Sequence, residues 1–199
     1  MAAYERGLAL RRALGDKRLV ANSLVGLARA ELLQSEYERP TALLHEALAL
    51  GREVKDTWIM SLSLGTLAVV RLCAGDDLAR ARESALEALR LAGERHDRRL
   101  ASEWVHTLAA IRIAEGDAAD ASRVLASADA LRESTGAQLG PAESLIRQRF
   151  LGPLSADPAY TSAVAAARVL PPDDLIAAVF AAATGRSSAT VASPAVAQG

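Results

Sequence analysis

The amino-acid sequence predicts an all-α protein in which helical hairpins stack in series as an α-solenoid. Three observations lead to this fold class. Apolar residues recur at helical spacing, turns centred on glycine or serine separate the helical stretches, and the whole pattern returns after about 40 residues. Because one hairpin cannot bury its apolar stripe alone, neighbouring hairpins must pack on each other.

The repeat keeps a nearly constant register along the chain. Asp16 maps onto Asp56 at an offset of 40 residues and onto Asp97 at a further 41. The same two steps connect three Leu-Ala pairs, at 27–28, 67–68 and 108–109. This register predicts hairpins at about residues 18–50, 58–92 and 99–133, with essentially no strand.

The hairpins are flanked by further helices. A lone helix is expected at about residues 4–14, and three more at about 142–151, 158–169 and 171–183. The predicted domains are therefore repeats at 1–140 (a partial first repeat, then about three full ones), C-terminal capping helices at 141–183, and a tail at 184–199. The Pro/Ala/Gly-rich tail cannot bury enough apolar surface to offset its ordering entropy, so we expect it to be disordered.

The turns inside the second and third hairpins indicate how the helices are joined. Gly75 and Gly116 are expected in the left-handed conformation, which ends a helix without a Cβ clash. The Asp that follows each glycine is expected to cap the next helix by accepting hydrogen bonds from its free amides. With only 4% aromatic residues, the chain is expected to pack Ala and Leu closely rather than to use large aromatic plugs.

Small residues flank the hairpin turns at corresponding positions. They and the turn residues are Ala28, Ser35-Glu36-Tyr37 and Ala47 in the first unit; Ala68, Gly75-Asp76, Ala81 and Ala88 in the second; and Ala109, Gly116-Asp117, Ala121 and Ala128 in the third. This arrangement resembles the tetratricopeptide-repeat (TPR) family. The resemblance implies a right-handed α-solenoid whose first helices line a concave face. Pro40 departs from the family's preferred alanine, and a first helical turn tolerates it because that amide has no intrahelical partner.

Two further stretches, Leu8–Asp16 and Ala128–Pro141, resemble the C-terminal repeat region of bacterial signal-transduction ATPases and transcriptional regulators of the LuxR/MalT and AfsR types. This resemblance implies a non-catalytic interaction or sensor module of such a regulator. The alternative is an effector-binding regulatory domain of an enzyme, such as a nucleotide cyclase or ATPase, carried elsewhere. No Gly-Lys-Ser/Thr phosphate loop is present, and the only lysines are Lys17 and Lys55.

Composition sets bounds on location and partners. The net charge of −1 argues against direct nucleic-acid binding, and the basic cluster at 95–99 is expected to be a solvated turn. Residues 1–6 lack the apolar core of a secretory signal, and the apolar stretches are expected to be too short for a membrane span. Cys73 stands alone and cannot form an internal disulfide. These features favour a cytoplasmic protein without membrane contact.

No spacing typical of catalysis or metal binding occurs in the chain. His45, His96 and His106 fall on different elements without the His-Glu-x-x-His or paired-Cys pattern of zinc sites. No Gly-x-Ser-x-Gly elbow is present, and Cys73 is expected to be a small buried hydrophobe. We therefore predict no catalytic residue, no metal and no cofactor, and no enzymatic activity of this chain alone.

The resemblance places the binding surface on the concave face, where the first helices contribute mostly apolar side chains. The candidate residues are Asn22, Val25, Arg29, Leu32, Leu62, Val69, Leu72, Glu103, His106 and Ile113. Two interpretations stay open: an open groove for a protein or peptide partner, for the remainder of a larger regulator or for a small-molecule effector, or a face covered by the C-terminal helices or by a second copy in a homodimer.

Overall fold

All regular structure is helical in the computed structural model, which describes residues 2–183 of the chain. The prediction of an all-α protein is confirmed for these residues, whereas the predicted tail at 184–199 lies outside them. The helices are α1 (Ala2–Ala13), α2 (Lys17–Leu32), α3 (Glu38–Glu53), α4 (Thr57–Ala74), α5 (Leu78–Glu94), α6 (Arg98–Ala114), α7 (Ala118–Thr135), α8 (Pro141–Ile146), α9 (Pro158–Ala167) and α10 (Pro172–Ala183). A π-helical turn (Arg147–Leu151) and a 3₁₀ turn (Gly152–Ala156) connect α8 to α9.

Six of these helices form three consecutive antiparallel hairpins. The pairs are α2 with α3, α4 with α5, and α6 with α7, and each begins and ends within three residues of the bounds that the repeat register predicts. Each hairpin packs on the next, since α3 contacts α4 and α5 contacts α6. The first helices of neighbouring hairpins also meet, because α2 contacts α4 and α4 contacts α6.

Aspartates cap five of the six hairpin helices; the exception is α3, which follows Tyr37 and has no side-chain cap. Asp16, Asp56 and Asp97 cap α2, α4 and α6 by accepting hydrogen bonds from backbone amides in the first turn. Inside the hairpins, Asp77 and Asp117 cap α5 and α7 in the same way. The expectation that the residue directly after Gly75 caps the next helix is wrong. The turn after Gly75 holds one residue more than the turn after Gly116, so the cap is Asp77 and not Asp76.

Left-handed residues end the helices at both kinds of turn. Gly75 and Gly116 have φ of 71° and 87° inside the hairpins, as their lack of a Cβ predicts. The turns that precede α2, α4 and α6 place Gly15, Lys55 and His96 in the same region, with φ of 72°, 54° and 52°. Two of these three turns therefore hold a non-glycine residue in a left-handed conformation that glycine would adopt with less backbone strain.

Trp104 lies fully buried in the centre of the core, against the backbone of Gly65 in α4. A Cβ added to Gly65 would come within 2.4 Å of the indole ring, so no larger residue fits there without a shift. The indole Nε1 donates a 3.0 Å hydrogen bond to Ser61. The expectation of a core without large aromatic plugs is wrong at this position, because a glycine on the facing helix makes room for one.

Serine hydroxyls join the two helices of the second and third hairpins. Ser61 donates to the carbonyl oxygen of Ala88 at 2.8 Å, and Ser102 donates to that of Ala128 at 3.1 Å. Because these serines bond across the hairpin, a buried hydroxyl is satisfied and the two helices are held in register. The equivalent position of the first hairpin, one repeat before Ser61, is Ala21, which has no hydroxyl to donate.

The C-terminal elements fold back on the hairpins. Helix α8 and the π-helical turn pack on α6, α9 packs on α7, and α10 contacts α5, α6 and α7. Asp157 caps α9, and two acidic residues occupy the first turn of α10, where they suit the positive end of the helix dipole. The chain after α7 thus covers surfaces that belong to the last two hairpins.

Helix α4 is long and apolar enough to cross a bilayer by length and composition, and 67% of that stretch is buried inside the protein. The sequence-based expectation that every apolar stretch is too short for a span is therefore wrong for α4. Its burial is that of a core helix, since α3, α5 and α6 all pack on it.

Candidate functional site

The first helices of the hairpins, α2, α4 and α6, carry the residues that sequence analysis assigns to a concave face. Most of them are buried. Val25, Leu32, Leu62, Val69, Leu72, Glu103 and His106 are at most 5% exposed, Arg29 and Ile113 are partly buried, and Asn22 is exposed. We call the surface formed by these residues on α2, α4 and α6 the inner face.

The chain's own C-terminal segment covers part of the inner face. Helix α8 and the π-helical turn, residues 141–151, contact α6. From this segment Arg149 reaches the end of α4, where its guanidinium lies beside the Cys73 thiol, and it donates a 3.0 Å hydrogen bond to the Tyr37 hydroxyl. Burial raises the pKa of Cys73, and the neighbouring guanidinium opposes this shift only in part. Cys73 is therefore a protonated, buried thiol at neutral pH.

An ion pair connects the first and third hairpins across the inner face. Arg29 of α2 donates a 2.6 Å hydrogen bond to Glu103 of α6 and a 3.1 Å bond to Thr66 of α4. Its guanidinium also lies 5.7 Å from the centre of the Trp104 ring. Burial raises the pKa of Glu103, and Arg29 counteracts this shift only in part. One arginine thus links all three first helices.

A second polar cluster surrounds Asp129 of α7, which is 3% exposed. Arg147 of the π-helical turn donates to its Oδ1 at 2.6 Å, and the Tyr160 hydroxyl of α9 donates to its Oδ2 at 2.6 Å. Burial alone would raise the pKa of Asp129, but hydrogen bonds from His106 and Tyr160, with the charge of Arg147, outweigh it and hold the pKa below its usual range. The carboxylate is therefore charged and joins three elements.

His106 of α6 is fully buried inside this cluster. Its Nδ1 lies 2.9 Å from the Ser102 carbonyl oxygen, which only accepts, so Nδ1 carries a proton. Its Nε2 lies 3.2 Å from Asp129 and 3.1 Å from the Arg147 guanidinium. Both ring nitrogens therefore lie within hydrogen-bonding distance of groups of the same chain.

These two clusters are built to hold chain segments together. Their central groups are closed off from solvent, and Asp129 uses both oxygens on residues of its own chain. Within residues 2–183, no group of three His, Cys, Asp or Glu side chains has the arrangement of a metal site. The Arg29 cluster holds α2, α4 and α6 together, and the Asp129 cluster fastens the π-helical turn and α9 to α6 and α7.

Sequence reasoning missed Asp129, Arg147 and Tyr160, and it placed Glu103 and His106 on a concave face for which an open groove and a covered surface both stayed open. One signal was available for Asp129. In the alignment of the repeats it stands where the second unit has the buried Leu89, so a charge occupies an apolar position of the second helix. A charge at such a position requires a buried partner. His106 lies within the repeats, but the other two partners, Arg147 and Tyr160, come from beyond them, where no register connects the residues.

A separate hollow of about 310 Å³ opens between α7, α9 and α10. Its wall is mostly apolar, with Val124, Ala163, Leu175 and Val179 among its residues, and Asp120 and Arg123 stand at its polar side. Arg123 is exposed and pairs with Asp120 at 3.0 Å. The hollow has the size of a small ligand site and the composition of one, an apolar wall with few polar groups.

Comparison with protein-family models, with curated proteins and with solved structures gives no match to this chain in any of the three.

Proposed function

We propose that this chain is a non-catalytic interaction or sensor module, built from TPR-like hairpins that stack as a right-handed α-solenoid. In this proposal it belongs to a cytoplasmic bacterial transcriptional or signalling regulator of the type that its sequence resembles. The serial contacts of the three hairpins and the left-handed glycines at two of their turns support the repeat assignment. We expect no turnover by this chain alone.

The observation that carries the proposal is the packing of residues 141–151 on the inner face. This segment is short, partly π-helical and attached by charged side chains, with Arg147 on Asp129 and Arg149 on Tyr37. Single π-helical turns inside helices occur often at functional sites. The inner face thus already holds a helical segment of its own chain, and a partner helix of similar charge is proposed to compete for the same place.

In-cell photo-crosslinking tests this function. A photoreactive amino acid is placed at Ile113, which is partly buried on the inner face, and at Glu83, an exposed residue of the second helix α5, as matched control. We expect a discrete cross-linked protein from position 113 only, with a higher yield when Arg147→Ala loosens the segment. Equal products from both positions would refute an inner-face partner, and a yield insensitive to Arg147→Ala would refute competition.

The hollow between α7, α9 and α10 favours the second candidate, an effector-binding regulatory domain of an enzyme carried elsewhere. The probe is anilinonaphthalene sulfonate, an amphipathic dye. We expect saturable fluorescence enhancement that Ala178→Phe abolishes, because residue 178 lines the hollow, and that Ala177→Phe leaves intact, because residue 177 does not. Enhancement that is unchanged in both variants would argue against an effector site here.

A further inference from the structure

The turns that precede α2, α4 and α6 form one edge of the molecule, because these three helices are neighbours and run in the same direction. This edge is rich in basic residues. We call it the basic edge and define it by the exposed residues Lys17, Arg18, Lys55, Arg95, Arg98 and Arg99. It includes the 95–99 cluster, which sequence analysis treats as a solvated turn, and extends it across two further hairpins.

The basic edge runs against the local preferences of helices. The first turns of α2, α4 and α6 contain no acidic residue, and four arginines or lysines occupy the first turns of α2 and α6. Positive side chains are disfavoured there by the helix dipole. Lys55 and His96 additionally adopt left-handed backbone where Gly15 occupies the corresponding turn. This departure from the local preference marks the basic edge as a candidate binding surface.

Three adjoining hollows lie along the basic edge, and Arg95 lines all of them. One, of about 560 Å³, is lined by basic side chains together with the Asp97 carboxylate; its other residues are His96, Arg98, Arg99 and Thr135. A second, of about 190 Å³, lies between Arg18 and Lys55. The third, of about 410 Å³, has an apolar wall. That wall consists of Leu19, Trp58 and Ile59, next to Asn22.

Part of the positive charge is not neutralised within the chain. Four of its six cations have a carboxylate partner: Lys17 pairs with Glu53, Arg18 with Asp56, Arg98 with Asp173 at 3.8 Å, and Arg99 with Glu103 at 3.5 Å. Arg95 instead donates a 3.3 Å hydrogen bond to the neutral Thr57 hydroxyl, and no ion pair involves Arg95 or Lys55 within residues 2–183. The middle of the basic edge therefore presents two cations without a carboxylate partner, beside an apolar hollow.

We propose that the basic edge docks an acidic segment of a partner protein that carries one apolar side chain. Carboxylates of the segment pair with Lys55 and Arg95, and the apolar side chain enters the hollow at Leu19 and Trp58. Charge complementarity selects an anion, and the apolar hollow selects a peptide rather than a phosphate backbone. The net charge of −1 also leaves the protein without the overall positive field that attracts nucleic acid. This surface is distinct from residues 141–151 and does not depend on the inner-face proposal.

Fluorescence anisotropy with a defined probe tests the proposal. The probe is a fluorescein-labelled peptide of sequence DEDELEDE, and its uncharged analogue NQNQLQNQ and single-stranded oligothymidine serve as comparisons. We expect saturable binding of the acidic peptide that weakens as salt rises from about 50 mM to about 200 mM, because the contacts are solvent-exposed ion pairs. Arg95→Ala is expected to raise the Kd about five- to tenfold, as loss of one or two such pairs does.

Two variants separate binding from folding. Lys55→Gly removes a charge and relaxes a left-handed residue, so we expect a higher melting temperature together with weaker peptide binding. Arg80→Ala removes an arginine of similar exposure at the opposite end of the hairpins, where Arg80 pairs with Asp77, and is expected to leave the Kd unchanged. Leu19→Ser is expected to weaken binding of DEDELEDE, whose leucine would contact Leu19. It is expected to leave binding of DEDEEEDE, which has no leucine, unchanged.

Several results would overturn the proposal. Absence of saturable binding by the wild-type chain at low salt is one, and equal loss of affinity in Arg80→Ala and Arg95→Ala is another. Equal affinity for NQNQLQNQ would show that the basic edge does not recognise the negative charge of the peptide. Tighter binding of oligothymidine than of the peptide would assign the basic edge to nucleic acid and reject the peptide.

Discussion

Tyr160 of α9 donates a 2.6 Å hydrogen bond to Asp129 of α7, and the same carboxylate accepts a 2.6 Å bond from Arg147. One side chain of the third hairpin thus holds two separate elements of the C-terminal region. The carboxylate does so only while it is ionised, because an ionised carboxylate accepts at both oxygens.

The lowered pKa of Asp129 gives a pH dependence of known sign. Its contribution to stability is present above the unfolded pKa, about 3.9, and is lost as pH falls through the lower folded pKa. We expect Asp129→Asn to destabilise the fold by about 1–3 kcal/mol at neutral pH, with a difference from wild type that shrinks below pH of about 4. Thermal melts between neutral and acidic pH check this, and a difference independent of pH would contradict it.

The contribution of Glu103 to stability should change with pH in the opposite direction, because burial raises the pKa of its carboxyl group. Stability from such a group is highest at low pH and falls as pH rises from the unfolded value, about 4.3, through the folded one. We therefore expect Glu103→Gln to cost less at neutral pH than Asp129→Asn, despite the lost bond to Arg29. The same melts provide the measurement, and a larger cost for Glu103→Gln would show that its ion pair outweighs burial.

The attachment of residues 141–151 can be probed directly. Arg147→Ala removes the contacts to Asp129 and His106 while the side chain itself is partly exposed, so the hairpins should remain folded. We expect faster amide hydrogen exchange in residues 141–151 and unchanged exchange in α4 and α5. Gln148→Ala, an exposed neighbour, is the control. Uniformly faster exchange along the chain would mean that Arg147 supports the whole fold.

The contact of Gly65 with Trp104 predicts a sharp steric effect. Gly65→Ala forces a Cβ to within 2.4 Å of the ring, and overpacking of this kind costs about 1–3 kcal/mol. Gly93→Ala in α5 is the control, because its Cβ would meet its nearest neighbour at 3.7 Å. There the higher helix propensity of alanine is expected to be neutral or stabilising by up to about 1 kcal/mol. Similar melting temperatures for the two variants would contradict the packing.

Charge substitution distinguishes a buried from an open inner face. Val69→Glu and Leu72→Glu place a charge at positions that are 1% and 2% exposed, so we expect loss of cooperative folding. Asn22→Glu, at the exposed inner-face position, should leave the free energy of unfolding within about 0.5 kcal/mol of wild type. Folded Val69→Glu and Leu72→Glu proteins would restore the interpretation of this stretch as an open groove.

The helices and their ends were predictable from the chain because their causes are local. Asp16, Asp56 and Asp97 start helices through hydrogen bonds to amides within three residues, and Gly116 ends one by its own backbone freedom. The sequence left open whether the inner face is covered, and the contacts that cover it were not predictable. The covering depends on contacts such as Arg149 with Tyr37, which lie 112 residues apart and belong to no repeat.

Serine hydroxyls join α4 to α5 and α6 to α7, and no such bond joins α2 to α3 in the described part of the chain, so the first hairpin is held together differently from the two that follow. Each of these bonds adds to the contacts that hold the two helices of one hairpin together. The first hairpin has Ala21 in place of the donor, so we expect a lower free-energy cost for separating its two helices than in the hairpins that follow. We therefore expect local opening of the hairpins to begin at α2 and α3.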